Sequence, residues 1–126
     1  IGYNYRMPNI NAALGCAQLE NLDKFIASKR QLALEYAEYF KNVEDIQFFT
    51  EPEDTFSNYW LQAVILKDKA AQQEFLQQTN DNGVMTRPIW ELMNRLPMFE
   101  HCENDGLENT IWFADRVVNI PSSVRL

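Results

Sequence analysis

Two short clusters in this sequence combine an arginine with aromatic and amide side chains. The first is Tyr3-Asn4-Tyr5-Arg6, and the second is Thr86-Arg87-Pro88-Ile89-Trp90, followed by Met93-Asn94-Arg95. A guanidinium suits phosphate or sugar hydroxyls, and an aromatic face suits a planar ring or another cation. The two clusters therefore suggest an anionic ligand that carries a ring. The alternative is that Tyr3 and Trp90 are edges of the core and that both arginines are solvated or ion-paired.

The first cluster also has a purely structural interpretation. Pro8 disfavours helix in the residue before it, and the side chain of Asn9 can cap the first turn of a helix. Residues 1–8 are then an extended lead-in to that helix, and local chemistry alone favours this interpretation over a site.

No familiar catalytic motif accompanies these clusters. The chain contains one histidine, and it has no glycine-rich phosphate loop, HExxH motif or nucleophile elbow. We therefore expect no catalytic residue and no metal site in this chain.

Cys16 lies in a helical pattern and is expected in the core or an interface, whereas His101 and Cys102 are expected at the surface. The spacing of the two cysteines fits neither a disulfide framework nor zinc.

Composition fits one globular domain that spans all 126 residues, with 46% hydrophobic and 23% charged residues. The net charge of −7 argues against binding to nucleic acid or to an anionic membrane, since both require a basic surface. The sequence shows neither a membrane-spanning apolar run nor a secretory signal, which predicts a cytoplasmic protein. It begins without Met inside a candidate functional segment, so we interpret it as part of a longer chain.

Apolar residues recur at steps of three and four over residues 9–41, which predicts one long amphipathic helix. Unbroken, it would be about 50 Å long, whereas a domain of this size has a radius of gyration of about 14 Å. Either Gly15 or another irregularity bends the helix, or its first turns dock on another domain or subunit. The small residues around Gly15 favour docking.

The remaining pattern predicts short strands and shorter helices. Strands are expected at residues 45–50, 58–66, 84–89 and 118–121, with 58–66 central. Pro88 either limits its strand to an edge or ends it. Helices are expected at residues 69–79, capped by Asp68, and at 109–117, with an irregular helical turn within 91–99. The predicted fold class is α+β, with the long helix and a shorter one covering one face of a small, mostly antiparallel sheet.

Three segments of the chain resemble the DegT/StrS family of nucleotide-sugar aminotransferases. They are residues 2–19, which contain Gly-Tyr-Asn-Tyr-Arg-Met and Asn-Ile-Asn-Ala-Ala-Leu-Gly, residues 86–90, and the closing Asn-Ile-Pro-Ser-Ser of residues 119–123. The resemblance extends over essentially the whole chain. It implies the small C-terminal domain of a fold-type-I aminotransferase, whose cofactor domain would precede Ile1.

The resemblance also implies a cofactor, substrates and a partner. Such enzymes use pyridoxal 5'-phosphate and work as homodimers that move an amino group, usually from glutamate, to a keto nucleotide-sugar. The Schiff-base lysine belongs to the missing domain, so the fragment is expected to be inactive and to hold no cofactor. Asn4 would reach the cofactor phosphate of the other subunit, with Arg6 beside it. The substrate-binding residues would be Tyr5, Arg87, Trp90 and Asn94.

One departure from the family pattern concerns residues 92–94. Many members have a histidine a few residues after the position of Trp90, where this chain has Leu92-Met93-Asn94. Whether Asn94 replaces that contact stays open. The variant resembles enzymes of the legionaminic-type nonulosonic acid pathway.

Two other classes of protein are compatible with the residues alone. A non-enzymatic interaction module would use the overhanging helix for protein contacts. A carbohydrate-binding module would use Trp60, Trp90 or Trp112 as stacking platforms.

Overall fold

The fold was analysed in a computed structural model that describes residues 5–125. Within this range the chain forms helices α1 (Asn9–Leu19), α2 (Leu22–Phe40), α3 (Lys69–Asp81) and α4 (Glu108–Ala114), and a 3-10 helix at Met93–Arg95. The strands are β1 (Ile46–Phe48), β2 (Gln62–Leu66), β3 (Arg87–Pro88) and β4 (Val117–Ile120).

The four strands form one antiparallel sheet in the order β1-β2-β4-β3. Val64 on β2 lies between Phe48 on β1 and Val118 on β4 in the strand register. The predicted central position of β2 is confirmed, and β3, which contains Pro88, lies at an edge as predicted. Proline fits there because it has no N–H to donate to a second neighbouring strand.

Alternation along the strands separates the two faces of the sheet. Residues 62, 64 and 66 of β2 are buried, whereas 63 and 65 are only partly buried. The buried face forms a core with α2, made of Ala33, Phe48, Val64, Leu66, Val118 and Ile120. Further side chains from α2 and α3 pack against it, including Tyr36, Phe40, Phe75 and Leu76. Both helices therefore cover the same face, and the predicted α+β class is confirmed.

The long helix predicted over residues 9–41 is in fact two helices, with a break at Glu20 and Asn21. The Asn21 backbone N–H donates to the Gln18 carbonyl at 3.1 Å, and its side-chain amide donates to the Ala17 carbonyl at 3.0 Å. Asparagine competes in this way with regular helical hydrogen bonds. The interruption thus has a local cause, and it lies six residues beyond Gly15.

The start of the first helix also differs from expectation. Asn9 was predicted as the cap, but it is the first helical residue, and Pro8 occupies the cap position without a side-chain hydrogen bond. The Pro8 carbonyl still accepts the first helical hydrogen bond, from Ala12 at 3.0 Å. Pro8 is extended, with φ −61° and ψ 151°, as is usual for a residue at the cap position.

Two predicted strands are shorter in the structure. The strand expected at residues 58–66 begins only at Gln62, because Tyr59 has a φ of 45° and the preceding polar side chains bind local backbone amides. The strand expected at 84–89 is reduced to β3. By contrast, Asp68 caps α3 as predicted, since its carboxylate accepts the Ala71 N–H at 2.8 Å.

Within residues 5–125, no helix is both long and apolar enough to cross a bilayer. The cytoplasmic location stays a prediction.

Candidate functional site

The first cluster lies ahead of α1, and only its second half is described. Asn4, predicted to bind the cofactor, and Tyr3 lie outside residues 5–125. Tyr5 and Arg6 are both exposed, Tyr5 to 91%. The adjoining α1 buries none of its residues, and its apolar side chains Ile10 and Leu14 are 82% and 61% exposed. Tyr5 and Arg6 therefore lie away from the core.

The second cluster is held in place by hydrogen bonds from Thr86. This threonine is buried, its hydroxyl lies 2.6 Å from that of Thr79, and its carbonyl accepts the Asn80 side-chain amide at 3.1 Å. The next residue, Arg87, pairs with Asn119 on β4. Two of the three family-like segments are thus adjacent strands, with one end anchored to α3.

Arg87 has few contacts for an arginine. Its side chain is exposed and lies 3.5 Å from the sulfur of Met85. Among the described residues it forms no ion pair, whereas Arg30, Arg95 and Arg125 each pair with a carboxylate. The positive charge of Arg87 is therefore open to an external anion.

Trp90 packs against a residue that sequence analysis had associated only with a carbohydrate-binding module. Its ring lies 6.2 Å from that of Trp60, with 24° between the ring planes. Both indoles remain exposed, to 71% and 64% respectively. Two exposed, stacked aromatic rings can take a further ring on an outer face of the stack.

Asn94 lies on the 3-10 helix, in a groove that it shares with Met93, Phe99, Cys102 and Leu107. Its Oδ1 atom is buried and accepts no hydrogen bond from the described residues. Trp90 does not line this groove. The structure thus groups Asn94 with the 93–107 segment, and its predicted contact with substrate stays a prediction.

The two cysteines are free and exposed. Cys102 follows the expectation of a surface position. Cys16 is not in the core, because the whole of α1 is unburied.

An ion pair between α2 and the loop after β1 was not predicted from the sequence. The Arg30 guanidinium on α2 makes two hydrogen bonds to the Glu51 carboxylate, at 2.6 and 2.9 Å, and a third to the Ser57 carbonyl at 2.7 Å. The side-chain hydrogen bond from Arg30 and the backbone N–H of Ser57 lower the pKa of Glu51 to about 2. No sequence pattern connects residues 30 and 51, because only the fold brings them together.

These features define an α+β domain with an exposed arginine on its edge strand β3 and an exposed, stacked pair of indoles. The chain matches the DegT/DnrJ/EryC1/StrS aminotransferase family over residues 1–126, and it belongs to that family.

Two curated relatives are named GDP-perosamine synthase. The chain is 35% identical to GDP-perosamine synthase of Escherichia coli O157:H7 and 34% identical to that of Vibrio cholerae, in each case over 97% of this chain. These matches cover 33% and 34% of the relatives, so the chain spans about a third of their length.

Solved structures share the fold. Helicobacter pylori PseC, an aminotransferase involved in pseudoaminic acid biosynthesis, superposes with a TM-score of 0.87 over 98% of this chain and 34% of its own, at 18% identity. The expected family membership is confirmed, and it does not favour the interaction-module or carbohydrate-binding alternatives.

Proposed function

We propose that the whole protein is a pyridoxal-phosphate-dependent aminotransferase that moves an amino group, from glutamate, to a keto carbon of a nucleotide-linked sugar. This chain is its small C-terminal domain, which binds substrate and completes a homodimer. A GDP-linked sugar has the best support, because the relatives at 34–35% identity are named GDP-perosamine synthase.

The observation that carries this proposal is the environment of Arg87 and Trp90. An exposed arginine that has no carboxylate partner among residues 5–125 lies three residues from an exposed, stacked indole. A nucleotide sugar offers the matching groups, since its diphosphate is anionic and its base is a flat ring. Guanidinium groups bind phosphate oxygens in pairs, and indoles stack on bases.

The cofactor is proposed to lie between subunits. When bound, pyridoxal phosphate supplies the electron sink for amino transfer. The amide of Asn4 and the guanidinium of Arg6 would hold its phosphate from across the dimer. Their position ahead of the unburied α1 suits a site completed by another subunit.

The reactive lysine is proposed to lie outside this chain. Lys29 hydrogen-bonds two carbonyls, and Lys41, Lys67 and Lys69 each pair with a carboxylate. These contacts fit structural roles for these four of the five lysines of the chain.

The substrate assignment is tested in the full-length protein by Arg87→Ala. We expect KM for the nucleotide sugar to rise at least tenfold, since a hydrogen bond to a charged group contributes about 1.5–3 kcal/mol. The assay follows glutamate-dependent amination of a panel of GDP-, dTDP- and UDP-linked keto sugars. Arg95→Ala is the control, because Arg95 already pairs with Glu91 at 3.4 Å. Equal KM values for both variants would remove Arg87 from the site.

The cofactor assignment is tested by Asn4→Ala. Loss of one hydrogen bond to the phosphate should weaken cofactor retention by about 1–3 kcal/mol, measured by titrating the apoenzyme with pyridoxal phosphate. Asn9→Ala, which changes an exposed amide at the start of α1, should leave retention as it is. The isolated 126-residue chain should show neither cofactor absorbance nor turnover.

The legionaminic-type branch remains a second proposal for the sugar. It rests on the Leu92-Met93-Asn94 variant, and the substrate panel separates it from a perosamine-type specificity.

A further inference from the structure

The loop that connects β1 to β2 is held in place by several side-chain contacts. Arg30 binds Glu51 at its beginning and the Ser57 carbonyl further along, and the guanidinium lies 4.1 Å from the centre of the Phe56 ring. The Ser57 N–H donates to the same Glu51 carboxylate. A single cation on α2 thus holds three points of residues 51–57.

The loop ends in a strained turn at Tyr59. Its φ of 45° is left-handed, which is uncommon for a bulky side chain and requires support from its surroundings. The Tyr59 ring packs against the core, and its hydroxyl accepts the Glu51 N–H at 3.0 Å. The following residue, Trp60, is exposed. The turn therefore buries one aromatic side chain and displays the next.

Lys29, adjacent to Arg30 on α2, anchors the end of the loop. Its partly buried Nζ donates to the Trp60 carbonyl at 3.1 Å and to the Ser122 carbonyl, just after β4. Two neighbouring cations thus fix both ends of the loop against α2. This is more order than a connection between two strands requires.

We propose that Lys29 and Arg30 form a latch that positions Trp60 against Trp90, so that Trp60 supports the Trp90 indole from one side while the ring of the substrate stacks on Trp90. Trp60 is then a positioning residue for Trp90. The assignment of the substrate ring to the nucleotide base rests on the proposed function, whereas the latch itself rests only on the contacts above.

Fixing the rings in advance has a physical advantage. Trp90 lies beyond the short edge strand β3, where few hydrogen bonds restrain the chain. An exposed indole there would lose rotational freedom on binding a ligand. Packing against Trp60, whose own backbone is held by Lys29, removes part of that freedom before the ligand arrives.

The latch is tested by far-ultraviolet circular dichroism of the 126-residue chain, because two closely packed indoles give a coupled exciton band. Trp60→Phe and Trp90→Phe should each abolish the band. Arg30→Met should reduce it by at least half. Arg125→Met, which breaks an equally short ion pair with Glu35 at 2.6 Å, should leave it unchanged.

Thermal unfolding shows whether each variant is folded, and Glu51→Gln provides a milder break of the latch if Arg30→Met does not fold. A band of full amplitude in folded Arg30→Met or Glu51→Gln would overturn the latch.

The positioning role is tested by kinetics of the full-length enzyme. Trp60→Ala and Arg30→Met should raise KM for the nucleotide sugar about fivefold with kcat unchanged, the lower end of the effect of losing one stacked ring. A raised KM in Trp90→Ala alone would overturn the role of Trp60. If Trp90→Ala also leaves KM unchanged, the proposed substrate site is wrong, and the latch is then decided by the exciton band alone.

Discussion

At the scale of single residues, the pair of Arg30 and Glu51 links pH to stability. Folding lowers the pKa of Glu51 from 4.5 to about 2, so the folded state favours the ionised carboxylate. Its stabilising contribution is fully present above about pH 4.5 and is lost as the pH falls toward 2. The direction follows from the depressed pKa, because an unfolded carboxyl takes up its proton at a higher pH than the folded one.

Glu51→Gln should therefore destabilise the chain in a pH-dependent way. We expect its urea midpoint to lie below that of the wild type at pH 7 and 5, and the difference to shrink at pH 3 and to vanish near pH 2. Glu38→Gln is the control, because Glu38 is exposed and its ion pair with Lys41 is long, at 3.7 Å. A Glu51→Gln difference that stays constant over this pH range would contradict the assigned role.

Local rules predicted some residues of the site and not others. Asp68 and Pro88 were found from sequence because a helix cap and an edge proline depend on their immediate neighbours. Arg87 and Trp90 came from adjacent residue types. Their relation to Trp60 and Arg30 could not be predicted, because those contacts depend on how α2, β2 and β3 pack together.

At the scale of elements, α3 depends on its cap more than on its composition. The Asp68 carboxylate accepts the Ala71 N–H, and α3 in turn supplies Gln72, whose buried amide donates to the Ala114 and Val117 carbonyls at 2.9 Å. These bonds connect α3 to the start of β4. Loss of the cap should therefore weaken tertiary structure as well as the helix.

Asp68→Ala should lower the free energy of unfolding by about 1 kcal/mol, within the 0.5–2 kcal/mol typical of a lost cap. Urea denaturation followed by circular dichroism measures the change. Asp81→Ala, at the last residue of the same helix, is the matched control and should have little effect, since an acid at a helix C-terminus is not favoured by the helix dipole. Equal losses in the two variants would show that the cap contributes nothing specific.

Periodicity predicted which elements exist better than where they end. The apolar repeat continues through residues 9–41, yet Asn21 divides α1 from α2 because its side chain and backbone amide both bond to the preceding turn. Similarly, apolar residues suggested a strand from residue 58, but the turn at Tyr59 delays β2 to Gln62. In both cases polar side chains beside an apolar pattern override it.

At the scale of the whole molecule, α1 lies outside the hydrophobic core of this domain. It buries none of its residues, although Ile10 and Leu14 lie one helical turn apart and are exposed. The chain spans about a third of its curated relatives. An exposed apolar row next to the proposed cofactor residues fits a surface that docks in the complete protein.

Ile10→Glu combined with Leu14→Glu should therefore have different effects in the two forms of the protein. In the 126-residue chain, the urea midpoint should hardly change, since substitutions at unburied sites usually shift stability by less than about 0.5 kcal/mol. In the full-length protein, the same two substitutions should reduce the dimer fraction, measured by analytical ultracentrifugation. Cofactor retention should fall with it, because Asn4 and Arg6 are proposed to act across the dimer. Leu34→Glu, an equally exposed change on α2, is the control and should leave the dimer intact. A full-length double variant that remains dimeric and retains its cofactor would show that α1 does not form the subunit contact.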